Sequence, residues 1–416
     1  MKVLVLGAGA REHTLAWKFS KSKRISGLFT APGNAGTGEI SENISGLDPM
    51  DIENVVNFCR ELKINIVFVG PEAPLAAGVV DALSSYNIPV IGPPREAAKL
   101  ESSKAFSKSF MLRHNIPTAS AREFSSKREY QSFIYRLNGK VVVKKSGLAS
   151  GKGVLESDNR EELLRFGNSI LDSDLLLVEE FLEGWEVSIF TITDGKSYLF
   201  LPPCADFKKA MDGDRGPNTG GMGAICPVPA VSSELLREIE LRIIEPTFRG
   251  MKKEGLTYKG VLYFGLIITD EGPKVLEYNV RFGDPETQVL LPLIDSDFGD
   301  LADAIIQEKL EEFPLIISDN SAVGVVIASG GYPGKYKKNI PVKNIPRCNE
   351  KELLLFHAST IKDNNNRLLT NGGRCFTVVG LSKDLLHASA IAYEAAPRVV
   401  FDSAWYRNDI GIKFFY

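Results

Sequence analysis

The chain has 416 residues, of which 44% are hydrophobic and 24% charged, and its formal net charge is −3. That length suits roughly two to four domains with a large core. The near-neutral balance offers no global basic field to nucleic acid or an anionic membrane, so any phosphate binding has to be local. Five scattered cysteines (Cys59, Cys204, Cys226, Cys348, Cys375) show no C-x-x-C spacing. This argues against a disulfide framework or a zinc site and points to a reducing cytoplasm. Met1–Leu6 reads as a short strand entering a glycine turn rather than a signal peptide. No apolar run approaches the roughly 20 residues of a membrane-spanning helix.

In chain order, Lys2–Leu6 is predicted as an apolar strand and Arg11–Ser20 as a helix. Leu28–Thr30 follows as a strand, Asp51–Leu62 as a helix and Ile66–Val69 as a buried strand. Pro74 suits the first turn of a helix running to about Tyr86, and Val90–Ile91 ends the series. This alternation predicts a doubly wound parallel sheet over residues 1–100. Ligands on such a sheet sit at the carboxyl ends of its strands, here Gly7–Glu12, Ala31–Thr37 and Gly70–Pro74. Residues 101–320 read as α+β. Lys99–His114 is helical, Val141–Lys145 is a strand, and the glycine loop Ser146–Gly153 follows. Leu175–Phe181 and Glu186–Thr193 are strands, 204–230 is a long Gly/Pro/Asp-rich loop, and Ser232–Glu254 is a long helix. Gly260–Thr269 and Pro273–Val280 pair as strands. Residues 321–416 form a smaller mixed β/α unit, with a strand at Ala322–Ser329, a turn at Gly330–Gly334 and a helix at Lys383–Ala396.

The most informative stretch is Glu277-Tyr-Asn279-Val-Arg281-Phe-Gly-Asp284-Pro-Glu286. Side chains alternate along a strand, so Glu277, Asn279 and Arg281 share one face. A carboxylate and an amide oxygen suit a hard cation, and a guanidinium grips phosphate. A solvated strand could carry the same three residues, but the unusual loops elsewhere favour a polyphosphate site. Gly7-Ala-Gly9-Ala-Arg11-Glu12 joins the first strand to the first helix, where N–H groups and the helix dipole attract an anion. It begins like a dinucleotide fingerprint and fails it at Glu12. A sugar phosphate monoester suits it better than NAD. Gly33 and Asn34 lie in a second loop of small polar groups, and Glu72 offers a carboxylate to ribose hydroxyls.

Lys144-Lys-Ser-Gly147-Leu-Ala-Ser-Gly151-Lys152-Gly153 can close its backbone over phosphates while its lysines supply charge, although it lacks the Walker A order. Lys104, on the preceding helix, is a further phosphate candidate. Glu179-Glu180-Phe181-Leu182, followed by Glu186, ends a strand that can present its backbone to an adenine edge and a carboxylate to a ribose. The segment from Asp206 and Lys208 through Asp214 to Gly220-Gly221 is dense in acids, lysines and glycines, as expected of a substrate lid or clamp. None of the four histidines stands in a metal or triad constellation. His13 lies beside the first loop, and no nucleophile elbow is present. The chemistry therefore reads as metal-assisted phosphoryl transfer.

GAGAREH, APGNAGT, VGPEAPL, LESSKAF, KKSGLASGKGV, EEFLEGWE, GPNTGGMGA, LEYNVRFGDPETQ, ASGGYPG, TNGGR and YRNDIG together resemble the phosphoribosylamine–glycine ligase family of the ATP-grasp superfamily. The resemblance runs nearly end to end. It implies ATP-grasp lobes at about 120–190 and 191–320, and ligation of glycine to 5-phosphoribosylamine through glycyl phosphate, in purine synthesis in the cytoplasm. By position, Glu277 and Asn279 would bind Mg²⁺ or Mn²⁺. Arg281, Lys144 and Asp214 would serve the reaction. Lys104, Lys144, Gly147, Gly151, Lys152 and Gly153 would hold ATP phosphates, Glu179, Glu180, Phe181 and Leu182 would meet adenine, and Glu186 would meet the ribose. Gly9, Arg11, Glu12, Gly33, Asn34 and Glu72 would hold phosphoribosylamine. Asp206, Lys208, Asp214, Gly220, Gly221 and Arg281 would border the remaining substrate.

Lys145, Ala205, Phe207 and Lys209 depart from the family's usual residues. No fused cyclo-ligase or transformylase is expected after the last unit. Phosphoribosylamine is a labile aminal-type sugar, which makes transient contact with the preceding purine-pathway enzyme an expectation. The competing readings are another ATP-grasp carboxylate–amine ligase or carboxylase, an NAD-dependent dehydrogenase, and a silent nucleotide-binding protein.

Overall fold

In the computed structural model, which describes residues 1–148 and 153–415, the Lys2–Gly7 strand is the centre of a five-stranded parallel sheet. Its order is Glu42–Asn43, Gly27–Pro32, Lys2–Gly7, Ile66–Val69, Val90–Ile91. Val3 aligns with Leu28 on one side and Ile66 on the other. Val3, Leu4, Val5 and Leu6 are wholly buried, as both faces of a parallel sheet are covered by helices. The connections leave the central strand towards opposite edges, so Gly7–Glu12 sits at the switch point of the sheet.

Two expected helices are broken. The one placed at Pro74–Tyr86 is Glu72–Ala77 followed by Val79–Ser85. Gly78 between them has φ +93°, and a Cβ there would meet the Arg95 guanidinium at 2.8 Å. Lys99–His114 is likewise Arg95–Ser102 and Lys104–Arg113. Ser103 is extended, and its Oγ accepts the Phe106 N–H at 3.3 Å. This cap moves Lys104 from mid-helix to the first turn of a new helix.

Ala121–Phe124, Leu176–Glu180, Val141–Lys145 and Val154–Ser157 form an antiparallel sheet in that spatial order. The helices Lys127–Arg136 and Arg160–Ile170 cover it around a separate core that includes Phe124, Tyr130, Val143 and Leu163. Its glycine loop runs through 149–152, so the expectations for Gly151 and Lys152 lie outside the described residues. A second antiparallel sheet runs Tyr198–Phe200, Trp185–Thr193, Gly260–Thr269, Gly272–Asn279. Its register shifts so that Glu277 faces Gly265 while Val275 faces Leu266, leaving Leu276 as the extra residue of a bulge.

The expected 204–230 loop is substantially β-structure. Lys209–Met211 and Arg215–Asn218 form a hairpin, and Gly223–Cys226 pairs with Ser321–Ala328. The last sheet runs Ala205–Asp206, Gly223–Cys226, Ser321–Ala328, Arg374–Ser382, Leu353–His357. It therefore draws strands from both sides of residue 320. The strands between Ala205 and Cys226 have two to four residues, too short for a period-2 pattern to emerge. The expected Ser232–Glu254 helix holds, with a π-turn at Glu240–Ile244. Among the described residues, no helix is long and apolar enough to cross a membrane.

Candidate active site

The first loop closes on itself through Glu12. One carboxylate oxygen accepts the Gly9 N–H at 2.6 Å and the other lies 2.6 Å from Arg11 Nε. A Cβ on Gly70 would fall 2.1 Å from Glu12 Oε1, so the side chain fills the gap between the two strand ends. An acid is accommodated where a dinucleotide fold would have glycine because Gly7 and Gly70 leave room for its side chain. Arg11 also donates to the Phe282 carbonyl at 3.1 Å and is buried. Asn34 is buried and donates to the carbonyls of Ala8 and His357, both at 2.9 Å. Gly33, at φ +76°, donates its N–H to the Gly7 carbonyl at 3.1 Å. His13 Nδ1 accepts the His357 N–H at 2.8 Å, so the two histidines join the Ala10–Ser20 helix to the last sheet. Glu72 opens the helix beyond Gly70, 3.7 Å from Arg281 Nε. Burial opposes its ionisation, but Arg281 and Arg11 hold it below the usual carboxylate range.

A second group forms where three sheets meet. Lys144 Nζ lies 2.6 Å from Glu179, which also pairs with Lys108 at 2.9 Å. Burial raises Glu179 and the two lysines more than compensate, leaving it low. The side chain of Glu179 is thus committed to the lysines, and only its backbone remains for a base edge. Glu277 is low in the same way: burial opposes its charge, and Lys208, Lys144, Lys104 and Arg281 outweigh burial. Lys104 is lowered by burial, with Glu277 opposing. Lys208 lies 2.7 Å from Glu186. Burial disfavours its charge, yet Asp206, Glu186, Tyr263 and Glu277 hold it well above an ordinary lysine. Asp206 is driven up by burial, with Glu286, Glu186 and Glu277 reinforcing and Lys208 opposing.

Asn279 and Arg281 do meet, Nη2 donating to Oδ1 at 3.1 Å. Arg281 is fastened from behind by Glu101 at 2.7 Å, and its Nε is buried without a hydrogen-bond partner. Gly147 donates to Asp174 at 3.2 Å, and the Gly153 carbonyl accepts the Lys145 N–H at 2.8 Å. Glu180 accepts the Ser120 N–H at 2.8 Å. Phe181 lies under Lys140 Nζ, 3.6 Å from the ring centre, and Leu182 continues the half-buried strand end.

Asp214 is not brought to this group. Its oxygens pair with Arg407 at 3.0 Å and Lys413 at 3.1 Å. The same hairpin is tied by the Gly213 N–H to Asp409 at 2.7 Å and by Asp212 to the Asn408 N–H at 2.9 Å. The expected lid is therefore a pinned rim, held by charges from the Tyr406-Arg-Asn-Asp409 stretch. Gly220 and Gly221 have both N–H groups occupied, by Tyr332 Oη and Thr219 Oγ1, each at 2.9 Å.

Models of the phosphoribosylglycinamide synthetase N domain, ATP-grasp (A) domain and C domain match residues 1–101, 102–287 and 322–413. The chain belongs to the phosphoribosylglycinamide synthetase family. It is 42% identical to the phosphoribosylamine–glycine ligase of Caldanaerobacter subterraneus, covering 99% of each chain. It is 45% identical to the trifunctional purine biosynthetic protein adenosine-3 of Gallus gallus, covering 99% of this chain and 42% of that protein. The chain thus spans about two fifths of the vertebrate trifunctional relatives it matches and about a third of the insect ones. A solved phosphoribosylamine–glycine ligase from Thermotoga maritima superposes with a TM-score of 0.84 at 33% identity, covering 99% of this chain and all of that one. The biotin carboxylase domain of Hydrogenobacter thermophilus 2-oxoglutarate carboxylase shares the fold, with a TM-score of 0.74 at 17% identity. It covers 97% of this chain and 91% of that one.

Among the residues that pair with the expected groups, sequence reasoning missed Glu101, Lys108 and Arg374. Glu101 stands three residues before Lys104, so the motif containing it was visible, but its pairing with Arg281 spans 180 positions and leaves no local signal.

Proposed function

We propose that the chain ligates glycine to 5-phosphoribosylamine at the expense of ATP, releasing glycinamide ribonucleotide, ADP and phosphate. The observation that carries this reading is a cluster of cations, each held by its own acid, around the ionised carboxylate of Glu277: Lys144 with Glu179, Lys208 with Glu186 and Arg281 with Glu101. Cations held in place by acids behind them are positioned for a polyphosphate and a carboxylate brought together. The full-length relatives named phosphoribosylamine–glycine ligase support the choice of substrates.

Residues 101–320 would hold ATP, with adenine along Glu180–Leu182 and phosphates against Lys104, Lys144 and the loop of Gly147 and Gly153. Residues 1–100 would hold the sugar phosphate at the helix N-terminus beside Gly9 and Arg11, and residues 321–416 would close the rim. Glu277 and Asn279 fit a divalent cation, Mg²⁺ or Mn²⁺. The carboxylate is held ionised, and no three His, Cys, Asp or Glu side chains form a closed cage among the described residues. When bound there, such a cation would neutralise charge on the transferring phosphoryl group.

The glycine carboxylate oxygen attacks the γ-phosphorus and ADP leaves. Lys144 and Arg281 steady the charge on the phosphoryl oxygens. The amine of phosphoribosylamine then attacks the acyl carbon of glycyl phosphate, inorganic phosphate departs, and the amine loses a proton. Transient contact with the enzyme that supplies this labile amine belongs to the same proposal. The test is ADP release from purified protein with MgATP, glycine and freshly generated phosphoribosylamine, omitting each in turn. Turnover that requires both co-substrates supports the ligase. ATP turnover without that double requirement moves the function to another acceptor.

A further inference from the structure

The Thr370-Asn-Gly-Gly-Arg374 segment has no role in the steps above, yet its geometry is specific. Ile327 pairs with Phe376 and Ala328 with Arg374, so Cys375 is the extra residue of a bulge. Bulges re-aim the adjoining side chains, and here the re-aimed side chain is Arg374. One of its terminal nitrogens, Nη1, donates to the Gly220 carbonyl, to the Gly221 carbonyl at 3.3 Å and to the Asp284 carbonyl at 2.9 Å. The other, Nη2, lies 3.0 Å from Asp284 Oδ2. Gln288 holds Asp284 Oδ1 at 2.7 Å, and a Cβ on Gly9 would come within 3.6 Å of Oδ2. Asp284 therefore stands between the first phosphate loop and the Gly220-Gly221 turn.

The two glycines before Arg374 are needed for this approach. A Cβ on Gly373 would meet the Tyr332 ring at 2.2 Å, and one on Gly372 would meet Ser359 Oγ at 2.4 Å. Tyr332 in turn accepts the Gly220 N–H at 2.9 Å. On the opposite side, a Cβ on Gly221 would lie 2.4 Å from Pro285 Cδ. The turn is thus pressed against the Asp284-Pro285 corner and locked by one guanidinium.

We infer that Arg374 is a positioning residue for the ligation, fastening the Gly220-Gly221 turn to Asp284 so that the glycine site and the sugar-phosphate loop keep a fixed spacing. This rests on the ligase reading. A planar fork can serve carbonyls and a carboxylate at once, whereas an ammonium is a single point. The ATP contacts proposed above belong to other segments, so the effect should separate by substrate.

The experiment is steady-state kinetics of Arg374→Ala, Arg374→Lys and Tyr332→Phe, with thermal unfolding measured on each. In Arg374→Ala, KM for glycine should rise about tenfold or more, the scale of one charged hydrogen bond lost. KM for ATP should stay within about twofold, because no ATP contact is removed. Arg374→Lys should fall between wild type and Ala, and Tyr332→Phe should show a smaller rise in the same constant. An unchanged glycine KM in a folded Arg374→Ala protein overturns the inference. So does an equal loss for all three substrates that tracks the melting temperature, since that marks a purely structural role. If Arg374→Ala does not fold, the same criteria apply to Arg374→Lys and Tyr332→Phe. Failure of the wild-type protein to require glycine would instead remove the ligase reading itself, which keeps the two failures distinct.

Discussion

Lys144 Nζ lies 2.6 Å from Glu179 Oε2 and 3.3 Å from the Leu276 carbonyl oxygen. One ammonium thus ties the small antiparallel sheet to the bulge of the neighbouring sheet, three residues before Asn279 ends its edge strand. Glu179 is the counter-charge that makes this possible, because it also takes Lys108. Replacing Glu179 with Gln leaves two buried ammonium groups without their carboxylate. We predict a stability loss of about 3–5 kcal/mol in denaturant titration, the usual cost of removing one member of a buried pair, and a raised KM for ATP. A variant as stable as wild type would show that solvent already neutralises the lysines.

Glu277 faces four cations and packs against Gly265, where a Cβ would come 3.1 Å from its Cγ. Glu277→Ala should abolish ligation, a loss of at least about 10³-fold for a charge-neutralising centre, in a protein whose circular dichroism still shows the native fold. Near-normal turnover in the folded variant would remove the metal assignment.

Arg11 is the buried partner of Glu12 and a donor to the Phe282 carbonyl. Arg11→Ala leaves a buried carboxylate with only the Gly9 N–H. The expected result is a fall of about 3–5 kcal/mol in stability, with phosphoribosylamine use weakened more than ATP use. Equal kinetic losses for both substrates, or none, would argue against a sugar phosphate at this loop.

His13 and His357 join the first helix to the last sheet in neutral form. Burial, with His357 adding to it, brings His13 down to about 3, while burial brings His357 to about 4 against the opposing charge of Glu39. In the unfolded chain both titrate near about 6.5. Their stabilisation is therefore complete above pH 6.5 and is lost progressively as pH falls towards their folded values. His13 alone should remove about 2–3 kcal/mol between pH 6.5 and 4.5. His13→Asn, whose amide oxygen can accept the His357 N–H in place of Nδ1, should flatten that slope in pH-dependent unfolding. An unchanged slope would place the acid sensitivity elsewhere.

The doubly wound first sheet was legible in the chain because buried parallel strands appear as continuous apolar runs and their glycine turns are local. The Glu277, Asn279 and Arg281 face was legible for a similar reason, since strand alternation needs only neighbours. The family followed from motifs spread over almost the whole length. Three kinds of feature were decided only in three dimensions. Breaks such as Gly78 and Ser103 depend on which side chain packs against the turn, here Arg95 for Gly78 and a capping hydroxyl for Ser103. The short strands around Asp206 and Gly223 exist because Ser321–Ala328 arrives to pair with them. The partners of each charge could not be read along the chain, because Coulomb forces act across space and not along sequence. Glu101 with Arg281, Asp214 with Arg407 and Arg374 with Asp284 are each brought together across at least 90 positions. The sequence alone therefore supplied the site's chemical groups, and tertiary packing assigned which of them are free to meet a substrate and which hold the others in place.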